Sequence, residues 1–388
     1  MAAFAAYPTL IPTFQNQWGL TNTEVGWIGG IYFGGYIVAV GLLTALTDRA
    51  DPKPVYLCSM AISFGSAVGF GLAAHDVTSA SLWRCLQGIG LAGTYMPGLK
   101  ALTDLTPPHL HGRSVAFYTA SFGVGASLSI FLSGSLEPAI GWQDTFFVCA
   151  LGPLAACIVT AWILPANSGR IERPLTGVLD FRPILANRRA LGFTLAYAAH
   201  NAELFGFRTW IVAFLVFSQS LQTPETLGVA LSAATLAAIV NLVGLPASVI
   251  TNEFAAKFGR VITLTVVMTG SGLFAIVLGF SSSAPYWLML VILVVYGFLV
   301  TADSATITAG VVEVADPQYR GTTMALHSLL GFTGSFIGPI IFGVVLDIAG
   351  GEGVQHAWGV AFTAMAIIVM LGPIVVSLMC RTRAPDCS

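Results

Sequence analysis

A cluster of ionisable side chains lies inside a strongly apolar part of the chain. His200 follows Tyr197 by three positions and Glu203 follows His200 by three, so a helix would place all three on one face. A carboxyl group surrounded by hydrocarbon must be paired or protonated. The chemistry expected of Glu203, with His200 beside it, is therefore uptake and release of a proton; a static ion pair that locks two helices is the alternative.

Two further charges occur in other apolar stretches. Arg84 lies in RCLQGIGLAG, and Asp303 lies beside Ser304 in VILVVYGFLVTADSATITAG. An arginine at membrane depth costs at least about 2.5–3.5 kcal/mol unless it faces water or an acid. Arg84 could thus attract an anionic group or neutralise an acid, and Asp303 could bind a ligand, carry a proton or lock helices together. Arg208 lies toward the end of its apolar stretch, where we expect its guanidinium to snorkel to the membrane surface.

Long apolar segments must position these charges. The chain is 56% hydrophobic and 9% charged, whereas soluble domains carry about 25% charged residues. A helix needs about 20 residues to cross a bilayer. We expect the first predicted segment to be incomplete, with the natural start of the protein upstream. The predicted helices are 1–15, 23–47, 54–74, 79–104, 113–136, 144–164, 190–218, 226–250, 260–281, 285–312, 321–347 and 356–380.

Positive charge is distributed unevenly along this pattern. Of the 16 Lys and Arg residues, only Arg84, Lys100 and Arg208 lie inside apolar segments. The others lie in alternate gaps or in the C-terminal tail, and loops rich in Lys and Arg stay on the cytoplasmic side. We therefore predict a multi-pass protein of the lipid bilayer, in the plasma membrane of a bacterium (its inner membrane), with both termini cytoplasmic.

The longest hydrophilic run, at 165–189, divides the chain into two parts with six predicted helices each. Matching loop lengths and loop charges indicate a duplication. We predict an all-α membrane protein of 12 transmembrane helices, with bundles at 1–164 and 190–388 that are pseudo-symmetric and joined by a cytoplasmic linker. Transporters that rock one half against the other have this layout. Because one chain contains both halves, we expect a monomer.

Other functional classes find little support. The basic residues lie at membrane boundaries, so no nucleic-acid partner is expected. Gly88, Gly90 and Gly93 spell G-x-G-x-x-G, but no strand precedes them, so they indicate close helix packing and not a dinucleotide site. The sequence contains no H-E-x-x-H, no G-x-S-x-G and no Cys/His ligand spacing. We therefore expect no enzymatic activity, no metal and no cofactor.

The segment RCLQGIGLAG resembles a motif of the major facilitator superfamily. Arg84, Gln87, Gly88 and Gly90 match its R-x-x-Q-G-x-G pattern, and the resemblance covers essentially the whole chain. In that family the first, fourth, seventh and tenth helices line a central cavity. The buried charges described above fall in three of these four helices, so the resemblance implies one cavity shared by all of them.

Two loop segments resemble the G-x-x-x-D-R-x-G-R-K loop of the same family. ALTDRADPK matches it through Asp48, Arg49 and Lys53, and NEFAAKFGR matches it partly through Lys257 and Arg260. In the family this loop acts as a charge-based latch between helices. The resemblance implies a gating role for these residues, and plain anchoring on the cytoplasmic side is the alternative.

A third motif of the family is missing from its usual helix, and a similar motif occurs in another helix. The G-x-x-x-G-P-x-x-G-G run, frequent in the fifth helix of family antiporters, has Ser129 and Ile130 in place of its Gly-Pro there. A similar run occurs in the eleventh predicted helix around Gly338 and Pro339, which we expect to act in gating, with tight packing as the alternative. The loss in the fifth helix disfavours a drug/proton antiporter.

The resemblance implies a secondary active transporter that works by alternating access. The expected cargo is a small organic acid or similar metabolite moved with protons; proton-coupled efflux of amphipathic drugs or toxic metabolites is the alternative, and a non-transporting sensor is a further one. We expect Glu203, Asp303 and His200 to couple protons. The residues expected to bind substrate are Arg84, Gln87, Tyr95, Tyr197, His200, Asp303 and Ser304.

Overall fold

The structure, a computed structural model, describes residues 1–47, 51–165, 181–223 and 231–380. Within these residues the secondary structure is helical, without a β-strand. Eight of the described helical stretches are long and apolar enough to cross a membrane. The predicted all-α membrane architecture is thereby confirmed, and helices occur at the positions of all twelve predicted segments.

The helices before the predicted linker follow the sequence closely. The fifth and sixth predicted segments form one helical stretch, which bends at Gly141 (φ 79°, ψ 167°). A positive φ favours glycine, so this residue allows the chain to turn without a loop. The helices are α1 (Ala6–Thr9), α2 (Ile11–Trp18), α3 (Asn22–Thr47), α4 (Pro52–Ala73), α5 (Val77–Leu105) and α6 (His111–Ile163).

The helices after the linker show two differences from the prediction. The eighth predicted segment, 226–250, lies at Ala233–Phe258, because Ser232 caps the helix and the polar run after Ile250 continues it. The tenth is divided at Asp303. Most of the predicted linker lies outside the described residues. The helices are α7 (Arg182–Ala186), α8 (Arg188–Ser220), α9 (Ala233–Phe258), α10 (Arg260–Phe280), α11 (Tyr286–Ala302), α12 (Ser304–Val314), α13 (Arg320–Ile348) and α14 (Gln355–Cys380).

Helix α3 of the first half packs directly on α13 of the second. A Cβ atom at Gly30 would overlap the carbonyl oxygen of Phe336, so the two backbones touch at this crossing. One to two turns further along α3, the Tyr36 ring lies 4.0 Å from the ring of Phe332, centroid to centroid. The start of α3 lies at the end of the protein that carries Glu24, Asp347 and Glu352, hereafter the acidic end. The contact between α3 and α13 thus extends from near this end to about the middle of α3.

Helices α3 and α5 approach equally closely inside the first half. A Cβ atom at Gly88 would overlap the carbonyl oxygen of Tyr32, and one at Gly35 would overlap that of Cys85. The prediction that Gly88 permits close helix packing is therefore confirmed. This contact holds Arg84, one turn before Gly88, against the side chain of Tyr32.

Replacing Gly88 with valine should lower the stability of the protein. The new side chain would displace the backbone of Tyr32, and overpacking of this kind costs about 1–3 kcal/mol. We expect a lower Tm in detergent. The matched control is Gly41→Val in α3, where a Cβ atom meets nothing within 4 Å, so its Tm should stay close to that of the wild type. Equal Tm values for the two variants would contradict the close approach.

Candidate functional site

Arg84 is buried in the first half, with an exposed fraction of 2%. Its Nη1 atom donates hydrogen bonds to Gln87 Oε1 at 2.8 Å and to the Phe4 carbonyl oxygen at 3.2 Å. Its guanidinium carbon lies 4.4 Å from the ring centroid of Tyr32, a cation–π contact. Its Nε atom has no partner, and no carboxylate pairs with Arg84 among the described residues. Arg84 is thus a buried cation with unused hydrogen-bonding capacity.

A cavity of about 210 Å³ lies in the first half next to Arg84. Three of the residues that line it, Phe4, Tyr32 and Gln87, also contact Arg84. An engineered protein cavity of about 150 Å³ holds benzene, so this cavity is large enough for one substituted ring. Its other aromatic lining residues are Tyr56, Tyr95, Tyr118 and Phe122, and its small polar ones are Ser63, Thr94 and Ser121.

A second, much smaller cavity lies between the two halves. Its volume of about 20 Å³ is enough for about one water molecule. Arg84 lines it from the first half and Arg208 from the second. Phe4 lines both this cavity and the larger one. Arg208, for which the sequence predicts snorkelling, thus turns its side chain toward the first half; the snorkelling stays a prediction.

The ionisable cluster of helix α8 lies inside the second half. Glu203 is fully buried, and its Oε1 atom accepts hydrogen bonds from Ser271 Oγ at 2.8 Å and Tyr296 Oη at 3.2 Å. Its Oε2 atom has no partner. These donors come from α10 and α11, so Glu203 joins three helices.

His200 and Asp303 form a buried contact beside this acid. His200 Nδ1 lies 2.8 Å from Asp303 Oδ1, although the angles are not those of a hydrogen bond, since both atoms lack a hydrogen-bond partner. Tyr197 stacks between His200 and His327, with ring centroids 5.8 and 4.1 Å away. With Glu203, the cluster therefore contains two carboxyl groups and two imidazoles.

The break between α11 and α12 places Asp303 in this cluster. The backbone N–H of Ala305 donates to Ser248 Oγ of α9 at 3.0 Å, so a side chain from a neighbouring helix accepts from a backbone donor at the start of α12. Ser304, a predicted substrate contact, is half-buried at the first position of α12. Its carbonyl oxygen accepts from Thr308 Oγ1 at 3.0 Å.

The structure divides the predicted substrate residues into two groups. Gln87 and Tyr95 line the larger cavity, with Arg84 next to it, whereas Tyr197, His200, Asp303 and Ser304 line neither cavity. Neither of these two cavities of the described residues brings Arg84, Glu203 and Asp303 together in the way that the resemblance implies.

Helical periodicity explains this division. Arg208 and Phe205 face the interface between the halves. Glu203 precedes Phe205 by two residues, which turns it about 200° around the helix axis, away from that interface. The sequence correctly predicts that Glu203 is buried, but burial alone does not determine which face of a helix borders the cavity.

The predicted latch residues of the first half are only partly described. Asp48 and Arg49 lie outside the described residues. Lys53 Nζ donates to the carbonyl oxygens of Ala161 at 2.9 Å and Leu164 at 2.5 Å. Lys53 thus binds the end of α6, within its own half, where the last carbonyl groups of a helix favour a cation.

The corresponding residues of the second half also bind locally. Arg260 pairs with Glu313, with Nε 2.7 Å from Oε2, and donates to Asn252 Oδ1 at 3.0 Å. Lys257 Nζ lies 5.4 Å from the ring centroid of Phe258. In this conformation both residues contact helices of their own half.

Gly338 and Pro339 lie where α13 crosses its neighbours. A Cβ atom at Gly338 would overlap the carbonyl oxygen of Ala202 in α8. The Pro339 carbonyl oxygen accepts a hydrogen bond from Trp210 Nε1 at 3.1 Å. The pair therefore packs α13 tightly on α8; their gating role stays a prediction.

Asp347, which no sequence motif singles out, closes the acidic end. Its Oδ1 atom accepts from the Asn22 backbone N–H at 3.1 Å and side-chain amide at 2.8 Å. Its Oδ2 atom accepts from the Thr23 N–H at 2.7 Å and hydroxyl at 2.6 Å. A carboxylate at the end of α13 thus caps the N-terminus of α3, which lies in the other half.

Replacing Asp347 with alanine should open the acidic end. We expect a cysteine introduced by Thr209→Cys, in a cysteine-free background, to react faster with a membrane-impermeant thiol reagent. The matched control is Glu24→Ala at the same helix end, because among the described residues Glu24 accepts hydrogen bonds from Thr21 alone, which belongs to its own half. Equal labelling rates in the two backgrounds would show that Asp347 does not hold the halves together.

Comparison with known proteins agrees with this architecture. The major facilitator superfamily model matches residues 1–250 and 205–386. The 4-hydroxybenzoate transporter PcaK of Acinetobacter baylyi is 24% identical over 375 residues, which are 88% of this chain and 81% of that protein. The gentisate transporter of Corynebacterium glutamicum is 21% identical over 353 residues, 88% and 77% of the two chains.

A solved structure has the same fold. The crystal structure of a bacterial homolog of the human lysosomal transporter Spinster, in an inward-facing and occupied conformation, superposes with a TM-score of 0.77. It is 16% identical and covers 99% of this chain and 96% of its own. Because the family model matches both halves, the chain belongs to the major facilitator superfamily; with its transporter relatives, this identifies it as a membrane transporter, not an enzyme.

Proposed function

We propose that the protein carries small organic anions by alternating access and couples their movement to protons. The observation that carries the proposal is Arg84, a buried cation without a carboxylate partner among the described residues. A membrane protein retains such a charge where a ligand neutralises it. Arg84 contacts three of the residues that line a cavity large enough for one ring, so an organic acid there would meet its counter-charge.

The relatives support an acid as cargo. The two transporters described above are named for 4-hydroxybenzoate and gentisate, both of which consist of one aromatic ring with a carboxylate. The aromatic side chains around the larger cavity suit such a ring, because aromatic pairs stack or meet edge to face. A single-ring acid therefore matches both the charge and the lining of the cavity.

The cluster around Glu203 supports proton coupling. Glu203 has two neutral donors on one carboxyl oxygen and no partner on the other, which suits a protonated acid. Loss of the proton would leave a charge among three packed helices, at a large cost in free energy. Coupling requires protonation to change which conformation is favoured, and Glu203 lies where three helices would have to rearrange. Asp303 and His200 are proposed as its partners.

The closed acidic end supports alternating access. Asp347 binds the start of α3 there, and the ring of Tyr36 packs on Phe332 further along the same pair of helices, α3 and α13. We propose from the charge pattern that this end faces the outside of the cell. We propose that Gly338 and Pro339 form the point about which α13 moves, and that the basic loops at Lys53, Lys257 and Arg260 stabilise one state. One chain in a bacterial inner membrane, with both termini in the cytoplasm, is the proposed working unit.

Exchange measured in proteoliposomes tests this function. Vesicles loaded with unlabelled 4-hydroxybenzoate should take up the labelled acid faster than protein-free vesicles, with saturation and with competition from other ring carboxylates. The neutral 4-hydroxybenzamide should not compete. Carrier-dependent accumulation of an amphipathic cationic dye without any exchange of carboxylates would instead favour drug efflux.

A further inference from the structure

A second, half-buried arginine faces Arg84 across the two halves. Arg208 lies on α8 and lines the small interface cavity that Arg84 lines from α5. Its guanidinium carbon lies 5.4 Å from the ring centroid of Phe205. Its Nε atom, like that of Arg84, is buried without a hydrogen-bond partner. Each half thus contributes one guanidinium group with unused donors to one small space.

The charge in this space is not balanced by the protein. Among the described residues, no carboxylate pairs with Arg84 or Arg208, and the other polar groups that line the cavity from the second half are the hydroxyl of Thr209 and the amide of Asn241. That amide already donates to Ser127 Oγ at 2.7 Å and to the Gly123 carbonyl oxygen at 3.3 Å. Two like charges in a medium of low dielectric constant repel each other. An anion between them would remove this repulsion and use the free donors.

We infer that Arg84 and Arg208 form one anion subsite shared by the two halves, and that the carboxylate of the transported acid occupies it. The inference rests on the proposed function and adds a second contact from the opposite half. Guanidinium groups bind carboxylates through two parallel hydrogen bonds. A carboxylate has two oxygen atoms, so it can accept from one arginine of each half.

The small volume of this cavity means that a carboxylate can bind there only after a conformational change. At about 20 Å³ it holds about one water molecule, so a carboxylate enters only after the halves separate slightly. Phe4, which lines both cavities, stands between this subsite and the ring-sized space. A bound carboxylate would then attract both halves, whereas the empty carrier brings two cations together. Occlusion therefore depends on an anionic solute, which a neutral analogue cannot replace.

Ligand-dependent thermal shift of the purified full-length protein tests the inference. The probes are 4-hydroxybenzoate, its neutral amide and chloride. Arg208→Met should weaken the apparent affinity for 4-hydroxybenzoate about 10- to 100-fold, as expected for loss of hydrogen bonds to a charged group. Arg208→Lys, which keeps the charge but not the paired N–H donors of the guanidinium group, should weaken the affinity less. The lysine variant also serves if the methionine variant does not fold.

The matched control is Arg113→Met. Arg113 also lies over a ring, with its guanidinium carbon 5.6 Å from the centroid of Phe117, but it is exposed on α6 away from both cavities. The affinity of the Arg113→Met variant for 4-hydroxybenzoate should equal that of the wild type.

The possible results separate the inference from the proposed function. If the wild type neither binds nor exchanges any ring carboxylate, the proposed function fails. If the wild type binds 4-hydroxybenzoate and both Arg208 variants bind it equally well, the shared subsite is wrong while the function stands. Stabilisation by chloride that depends on Arg208, with unchanged affinity for 4-hydroxybenzoate, would assign the subsite to a free inorganic anion and overturn the inference.

Discussion

Glu203→Gln should transport the solute without accumulating it. A gradient of one pH unit supplies about 1.4 kcal/mol per proton, which supports about tenfold accumulation if one proton moves with each solute in an electroneutral cycle. Glutamine keeps the shape of the side chain and a carbonyl oxygen for the donors Ser271 and Tyr296, but it carries no exchangeable proton. We therefore expect accumulation close to onefold in the variant, with exchange of labelled for unlabelled solute retained.

Two variants serve as controls for this result. Tyr296→Phe removes one donor to Glu203 and leaves the carboxyl group in place, so tenfold accumulation should persist. Asp303→Asn tests the other buried acid of the cluster, which contacts His200. If Glu203→Gln still accumulates solute tenfold while Asp303→Asn does not, the coupling residue is Asp303 and the assignment to Glu203 is wrong.

Arg84→Met should weaken solute binding strongly without destabilising the empty protein. Loss of a buried charge that contacts a ligand carboxylate costs about 2–5 kcal/mol, so we expect affinity for 4-hydroxybenzoate to fall at least about 30-fold. Without ligand the variant should be as stable as the wild type or more stable, because the removed charge pairs with no acid among the described residues. Methionine has a similar length and fills most of the same space.

The stability of the empty variant separates two roles for Arg84. Breaking a buried ion pair costs about 3–5 kcal/mol, because a charge is left behind. A structural arginine would therefore show a clear loss of Tm in the absence of ligand, whereas a binding arginine would show the loss only in its presence. A Tm well below that of the wild type without ligand would contradict the binding role.

The helices and the buried charges could be predicted from the sequence because both follow from the cost of polar groups in hydrocarbon. Apolar runs give the helices within a few residues, apart from the eighth, where a polar continuation and the cap at Ser232 moved both ends. The same argument correctly identified Arg84, Glu203 and Asp303 as buried. These predictions depend only on local composition, and local composition can be read from a single sequence.

The arrangement of the site could not be predicted, because it depends on contacts between distant segments. Arg208 and Glu203 lie five residues apart on one helix, yet one faces the other half and the other faces the interior of its own half. Asp347 caps a helix that begins at Asn22, more than 300 positions earlier. No spacing within α8 or α13 indicates which face meets which neighbour, so only the packed structure reveals these pairs.

The central claim is that a carboxylate and a proton cross the membrane in one cycle, and that Glu203 carries the proton. A dye trapped inside vesicles can measure this proton movement directly. Proteoliposomes containing a pH-sensitive dye are given 4-hydroxybenzoate, with protein-free vesicles as the baseline for passive entry of the acid. The proposed mechanism predicts a change of internal pH beyond that baseline, absent in Glu203→Gln although labelled solute still exchanges. Carrier-dependent solute flux with no change of pH beyond the baseline, or the same change in both proteins, would contradict it.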